Sequence, residues 1–202
     1  MVSDFLFRAA FSGFWIVFLA NVAWVGRSRK WSAGRQTTLH ARRLRVAALV
    51  FAIPYFVGTL LYALFPGWVA FLSIPLPDWF RLGTVGVAVL GTSFFLWALW
   101  SLGENWAPSV SGVRRDTVLV TTGPYGIVRH PIYLGVFILL TALAALAANL
   151  LIVLPTLGLL ILLYAQLPDE ESLLISRFGD EYREYMKRTP RFIPNFRHEL
   201  TA

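Results

Sequence analysis

The sequence predicts an all-α polytopic membrane bundle of about five transmembrane helices with a cytoplasmic C-terminal amphipathic helix. Three observations carry that expectation: 57% of the 202 residues are hydrophobic, only 14% are charged, and the apolar residues fall into runs long enough to cross a bilayer. A soluble domain carries about 25% charged residues, so one water-solvated core could not hide this much apolar surface. A span needs about 20 mainly apolar residues.

The first run, Phe5–Val25, is followed by basic residues and by no small-residue cleavage site, so it reads as a retained span with its N-terminus outside. Arg27, Arg29, Lys30, Arg35, Arg42, Arg43 and Arg45 come next, with no acidic residue among them. The positive-inside rule places such a segment in the cytoplasm, as a topology anchor or as a binder of anionic membrane lipids. The net charge of +7 is therefore explained without nucleic acid. The second run, Val46–Phe65, contains Pro54, which predicts a kink. The loop Pro66–Arg81 carries few positive charges, as expected of an outside loop, and Leu82–Leu102 is the third span.

Ile132–Leu167 is too long for one helix and reads as a hairpin of two spans turning at Ala148-Asn149. Five spans return the chain to the cytoplasm. Seven of the eleven acidic residues fall in Asp169–Glu199, where Leu174, Ile175, Phe178, Tyr182 and Tyr185 form one apolar stripe. An amphipathic helix ending at Thr189-Pro190 follows from that pattern. The chain divides into residues 1–81, two spans with their basic loop, and residues 82–202, which carry the polar segments. The absence of cysteine excludes disulfides, thiolate nucleophiles and cysteine metal sites, and three scattered histidines leave no metal centre.

Two polar foci stand out. Arg129 and His130 precede Pro131, which suits the first position of a helix, so both sit at the mouth of the fourth span. With the free amides of that helix they could receive a carboxylate or phosphate; equally, both could simply reach the interface. Asp169, Glu170 and Glu171 follow Pro168 at the end of the fifth span. They could stabilise the start of the tail helix, or grip a cationic ligand. The aromatic residues of the third span, Phe94, Phe95, Trp97 and Trp100, could wall an acceptor tunnel or form ordinary packing surface.

Leu119–Gly135 (LVTTGPYGIVRHPIYLG), followed by Glu170–Pro194 (EESLLISRFGDEYREYMKRTPRFIP), resembles the isoprenylcysteine carboxyl methyltransferase family and its wider group of phospholipid methyltransferases. Ser101–Trp106 (SLGENW) is similar to the family's approach to this loop. The resemblance implies a methyltransferase of a bacterial inner membrane that takes S-adenosyl-L-methionine from the cytoplasm and a hydrophobic or lipid-like acceptor from the bilayer. It implies cofactor contacts at Thr117, Val118, Leu119, Val120, Tyr125, His130, Pro131, Ile132, Tyr133 and Glu170, and places Arg129 beside the reacting groups. At Gln166 the family's prenylcysteine enzymes carry an arginine, so this substrate-binding position leaves the acceptor open among a lipid amine, a thiol or another hydrophobic nucleophile. Glu171 and His130 are the candidate bases for an acceptor that must lose a proton. The rival readings are an NADPH-dependent sterol or enone reductase and a non-catalytic membrane subunit or transporter. The second would be expected to show ionisable residues at mid-depth, where these spans have almost none.

Overall fold

The computed structural model describes residues 2–28, 39–103 and 118–193. Among them the chain is helical: α1 (Val2–Ser28), α2 (Leu39–Leu64), the short α3 (Pro66–Val69) with a 3-10 turn at Ala70–Leu72, α4 (Asp78–Leu102), the short α5 (Pro124–Ile127), α6 (Pro131–Ala147), α7 (Leu150–Phe178) and α8 (Asp180–Arg188). Helices α1, α2, α4 and α7 are long and apolar enough to cross a membrane. Helix α6, with 17 residues, is shorter; at 1.5 Å per residue it is roughly 25 Å long, near the lower limit for a span. Large apolar residues such as Leu49, Ile53, Leu60, Leu154 and Ile161 lie exposed on the outside of the bundle, as a lipid solvent allows.

The helices pack through small residues. A Cβ on Gly135 of α6 would fall 2.8 Å from the Phe95 backbone, and one on Gly91 of α4 would fall 2.8 Å from the Leu139 amide nitrogen. These two glycines let α4 and α6 touch backbone to backbone. Without a hydrophobic driving force between helices in lipid, such close van der Waals contact is what holds them. Phe7, Phe11, Tyr55, Leu139, Leu143 and Ile152 fill the core between α1, α2, α6 and α7.

The expected hairpin is present. Ala148 takes the left-handed conformation (φ 47°) that ends α6, and the Asn149 side chain caps α7 by accepting from the Leu151 amide at 3.0 Å. Asn149 also donates to the Val69 carbonyl at 2.9 Å, and the Ile74 amide donates to the Ala148 carbonyl at 2.7 Å. The loop after α2 is thus laced to the α6–α7 turn at one end of the bundle.

Two boundaries differ from the sequence expectation. Helix α4 starts at Asp78, so Arg81 lies in its first turn and is buried. Its Nε donates to the Leu146 carbonyl (3.0 Å), Nη1 to Asp4 (3.1 Å) and Nη2 to the Tyr62 hydroxyl (3.3 Å), with its guanidinium 4.0 Å from the Phe7 ring centroid. The start of α1, the end of α2, the start of α4 and the end of α6 therefore meet, and the chain alternates direction through five helices. The second difference is at the tail. Pro168 does not separate span from tail: α7 runs through it to Phe178, and the chain turns instead at Gly179 (φ 58°). Only one amide is lost at Pro168, and Ser172 donates its hydroxyl to the Pro168 carbonyl at 2.8 Å. Glu170 and Glu171 are therefore well inside a helix, where the N-terminal dipole gives them no support.

Candidate functional site

At the end of the bundle opposite Arg81, α5, the mouth of α6, the last third of α7, α8 and the segment after it converge. Gly123 adopts φ 60° at the turn into α5, with Ser101 and Trp97 of α4 beside it. After α5 the chain is extended at Val128 and bends at Arg129 before α6, whose first intrahelical bond is made by the Leu134 amide to the His130 carbonyl at 3.0 Å. The amides of Ile132 and Tyr133 precede that bond, as the first amides of any helix do.

Glu171 occupies the centre. Its carboxylate is buried, on the inward face of α7. Oε1 accepts from Arg129 Nη2 at 3.0 Å and Nε at 3.3 Å, and from Arg191 Nε at 3.2 Å. His130 Nε2 lies 3.2 Å from the same oxygen, and Arg191 Nη2 donates to Oε2. One acid thus holds together three basic side chains from two regions of the chain. The remaining Arg129 group, Nη1, donates to the carbonyls of Met186 (3.0 Å) and Thr189 (2.6 Å). The site brings Arg129, His130 and Glu171 together, and their polar atoms are turned largely on one another.

The segment after α8 acts as a strap across the mouth of α6. The Arg129 amide donates to the Pro190 carbonyl at 2.8 Å and the His130 amide to the Arg191 carbonyl at 3.4 Å. The Phe192 ring packs against Phe137 (centroids 5.3 Å apart), His130 (6.3 Å) and Tyr164 (6.3 Å). Arg191 also bonds to Tyr164, and its pairing with Glu171 raises it above the usual arginine range.

Glu170 has different neighbours. The Tyr133 phenol hydrogen-bonds to it. Tyr125 is close enough that, after burial, the Glu170 charge pushes its phenol further up. Burial also raises the Tyr185 phenol, which keeps its proton and donates it to the Tyr125 carbonyl at 2.6 Å. Glu170 is half-buried and carries tyrosines where Glu171 carries cations. Gln166, one turn earlier on α7, shares the Glu170 side of the helix and is also half-buried.

The other expected residues fall as follows. Pro131 is buried, Ile132 and Tyr133 are half-buried, and Leu119 and Val120 are half-buried where the chain approaches α5. Val118 is exposed, and Thr117 lies outside the described residues. Among the described residues there is no group of three or more His, Asp or Glu side chains able to hold a metal ion. Sequence reasoning assigned no role to Arg191 or Phe192, and it placed Tyr182 and Tyr185 only in the apolar stripe of the tail helix. The signal for the first two was present as an Arg-Phe pair directly after the helix-ending Thr189-Pro190, where an amphipathic helix alone would need nothing further.

Residues 84–176 match the Isoprenylcysteine carboxyl methyltransferase (ICMT) family. The chain is 31% identical over 126 residues to the nickel-cobalt-cadmium resistance protein NccN of Alcaligenes xylosoxydans xylosoxydans, covering 61% of this chain and 57% of that protein. It is 33% identical over 117 residues to the protein-S-isoprenylcysteine O-methyltransferase of Schizosaccharomyces pombe, covering 57% of this chain and 50% of that one. The fold is similar to the solved structure of the eukaryotic intramembrane Ras methyltransferase ICMT, with a TM-score of 0.53 and 28% identity, over 78% of this chain and 54% of that one. This chain spans about half the length of the curated relatives it matches. The chain is thus similar to the ICMT family over residues 84–176, and four of its helices are long and apolar enough to cross a membrane.

Proposed function

We propose that this ICMT-like chain is an S-adenosyl-L-methionine-dependent methyltransferase acting on a hydrophobic or lipid-like acceptor at the cytoplasmic face of a bacterial inner membrane. The observation that carries this reading is the pairing of two adjacent acids with opposite surroundings at the mouth of α6. Glu171 is paired with Arg129 and Arg191 and lies within hydrogen-bond distance of His130, and its neighbour Glu170 faces tyrosine phenols. The first arrangement fixes the frame of the site, and the second leaves a carboxylate able to meet a ligand's cation.

The residues present fit the cofactor. Its ammonium suits Glu170 with Tyr133, and its carboxylate suits the first amides of α6 at Ile132 and Tyr133. Leu119 and Val120, joined by Thr117 and Val118, would meet the adenosine end through their backbone, with Tyr125 as a wall and His130-Pro131 at its edge. S-adenosyl-L-methionine, when bound, supplies an activated methyl group for in-line displacement. The protein's task in such a transfer is alignment and exclusion of water, and the buried aromatic mouth supports both. In our reading Arg129 positions the reacting end of the site, and Glu171 acts through it as a positioning residue more than as a base. Its oxygens are already engaged by donors, so taking a proton would cost those bonds. Gln166 would face the acceptor, where a neutral side chain favours an amine, thiol or other uncharged nucleophile over a carboxylate.

Sidedness follows from charge. Arg42, Arg43 and Arg45 lie in the first turns of α2, at the same end of the bundle as the site, and the N-terminus of α1 lies at the other. The positive-inside rule then puts the site in the cytoplasm and the start of α1 outside.

Calorimetric titration of the detergent-purified protein with S-adenosylmethionine, S-adenosylhomocysteine and NADPH tests the reading. Saturable binding of the first two, weakened by Glu170→Ala, is expected. Binding of NADPH alone would replace the methyltransferase with the reductase.

A further inference from the structure

Segment 65–80, from the end of α2 to the first turn of α4, is dense in exposed aromatic rings. Trp68, Phe71 and Trp79 are 72%, 82% and 74% exposed, and Phe65 and Phe80 are exposed beside them. Phe65 and Trp68 stand 5.3 Å apart and Trp79 and Phe80 6.0 Å apart, centroid to centroid. An apolar patch of this kind marks a contact with something apolar.

The depth of the segment is fixed by what it is tied to. Helix α6 begins at the mouth of the site and runs 17 residues, about 25 Å, against roughly 30 Å of bilayer hydrocarbon. Its far end is sealed from solvent: Ala147, Ala148 and Asn149 are all buried. The segment covers that end, with the Ile74 amide on the Ala148 carbonyl and the Asn149 side chain on the Val69 carbonyl. Arg81, directly after it, takes the Leu146 carbonyl. In a bilayer with one face level with the mouth of α6, a chain bonded to the end of so short a helix lies at the opposite hydrocarbon boundary.

The backbone is equipped for that depth. Pro66, Pro75 and Pro77 have no amide to satisfy, and the amides of Trp68, Ser73, Ile74, Leu76 and Phe80 are spent on carbonyls of the fold. Asp78 is the one ionisable residue of the segment, so charge selects no partner for it. The patch is continuous with exposed apolar residues of the flanking spans, Leu60 and Leu64 on α2 and Leu82 on α4.

We propose that segment 65–80 is an interfacial element whose partner is the bilayer, its aromatic rings seated between lipid headgroups and acyl chains at the end of the bundle remote from the site. Aromatic rings, and tryptophan with its single N–H above all, suit a boundary that is apolar on one side and wet on the other. This holds for a membrane-embedded bundle, as the function proposed above requires. It turns the expected outside loop into a seal over a helix too short to cross alone.

The chain has no cysteine, so a single nitroxide label can be placed at a chosen position. Full-length Phe71→Cys and Trp79→Cys, each labelled and reconstituted in phosphatidylcholine vesicles, are compared by collision with oxygen, which concentrates in lipid, and with a nickel chelate, which stays in water. Leu60→Cys on the exposed face of α2 and Asp180→Cys on α8, whose side chain is 94% exposed, supply the lipid and water references. The oxygen-to-nickel collision ratio at both test positions is expected several-fold above that of the Asp180→Cys label. A ratio equal to that water reference overturns the proposal. A label shielded from both collision partners also overturns it, because a protein surface, such as a second copy of this chain, then covers the patch. If the Leu60→Cys label itself gives the water ratio, the membrane-embedded reading fails. If that label stays in lipid while those of Phe71→Cys and Trp79→Cys do not, the interfacial seat alone fails.

Discussion

At one end of the bundle a buried arginine is surrounded by acceptors; at the other a buried glutamate is surrounded by donors. Arg81 ends on Leu146, Asp4 and Tyr62, which belong to three different helices, and its positive face lies over Phe7. Every one of those contacts stitches the chain to itself. The Glu171 end is built the same way at its centre, yet it sits beside a second acid with tyrosine neighbours and the first amides of a helix. In our reading the difference separates a clasp from a site: both bury charge, and the second holds a carboxylate, Glu170, that we propose meets a ligand.

The largest expected effect comes from removing the centre of the second hub. Glu171→Ala leaves Arg129 and Arg191 without their shared counter-charge, and breaking a buried pair costs about 3–5 kcal/mol. Both the melting temperature in detergent and cofactor binding should fall, since the strap at 189–193 and the α6 mouth lose their common anchor. Binding retained at wild-type strength would show that Glu171 does not position the site.

Arg81→Met separates the two ends. It leaves the Leu146 carbonyl and the Tyr62 hydroxyl without a donor, at about 1–3 kcal/mol for such a group. The exposed Asp4 side adds little. Thermal melting should drop while calorimetric affinity for S-adenosylhomocysteine in the folded protein stays unchanged. A specific loss of affinity would mean that the clasp and the site are coupled.

Gly135→Ala probes the link between the ends, since its Cβ would meet the Phe95 backbone at 2.8 Å. Forcing α4 and α6 apart should cost about 1–3 kcal/mol in a denaturant or thermal series. An unaltered melting temperature would show that this crossing has room to yield.

Smallest in stability is Glu170→Ala, which breaks no arginine pair among the described residues. Its melting temperature should stay close to wild type while affinity for S-adenosylmethionine falls by about tenfold, one charge-assisted hydrogen bond. A large stability loss with intact binding would reverse the roles given to the two acids.

Much of this molecule was legible in the chain itself. The spans, the hairpin turn at Ala148-Asn149 and the helix start at Pro131 follow from local rules: apolar length, a residue suited to capping, and proline's missing amide. Arg129, His130, Glu170 and Glu171 were legible as polar groups at an interface, because a bilayer leaves such residues few other places to be. Their partners were not. Pairing Glu171 with Arg129 links residues 42 apart in sequence, and nothing local says which of two adjacent acids faces inward. Helical phase decided that: α7 runs uninterrupted through Pro168, turning Glu171 to the core and Glu170 toward Tyr133. Arg81 was hidden for the same reason, since an arginine beside a loop reads as solvated until three helices close around it. The sequence by itself determined which segments lie in lipid and where polar chemistry gathers, because those depend on the solvent each residue prefers. Only the tertiary structure decided which charges pair and which of two adjacent acids turns inward, because these depend on long-range packing that no window of sequence contains.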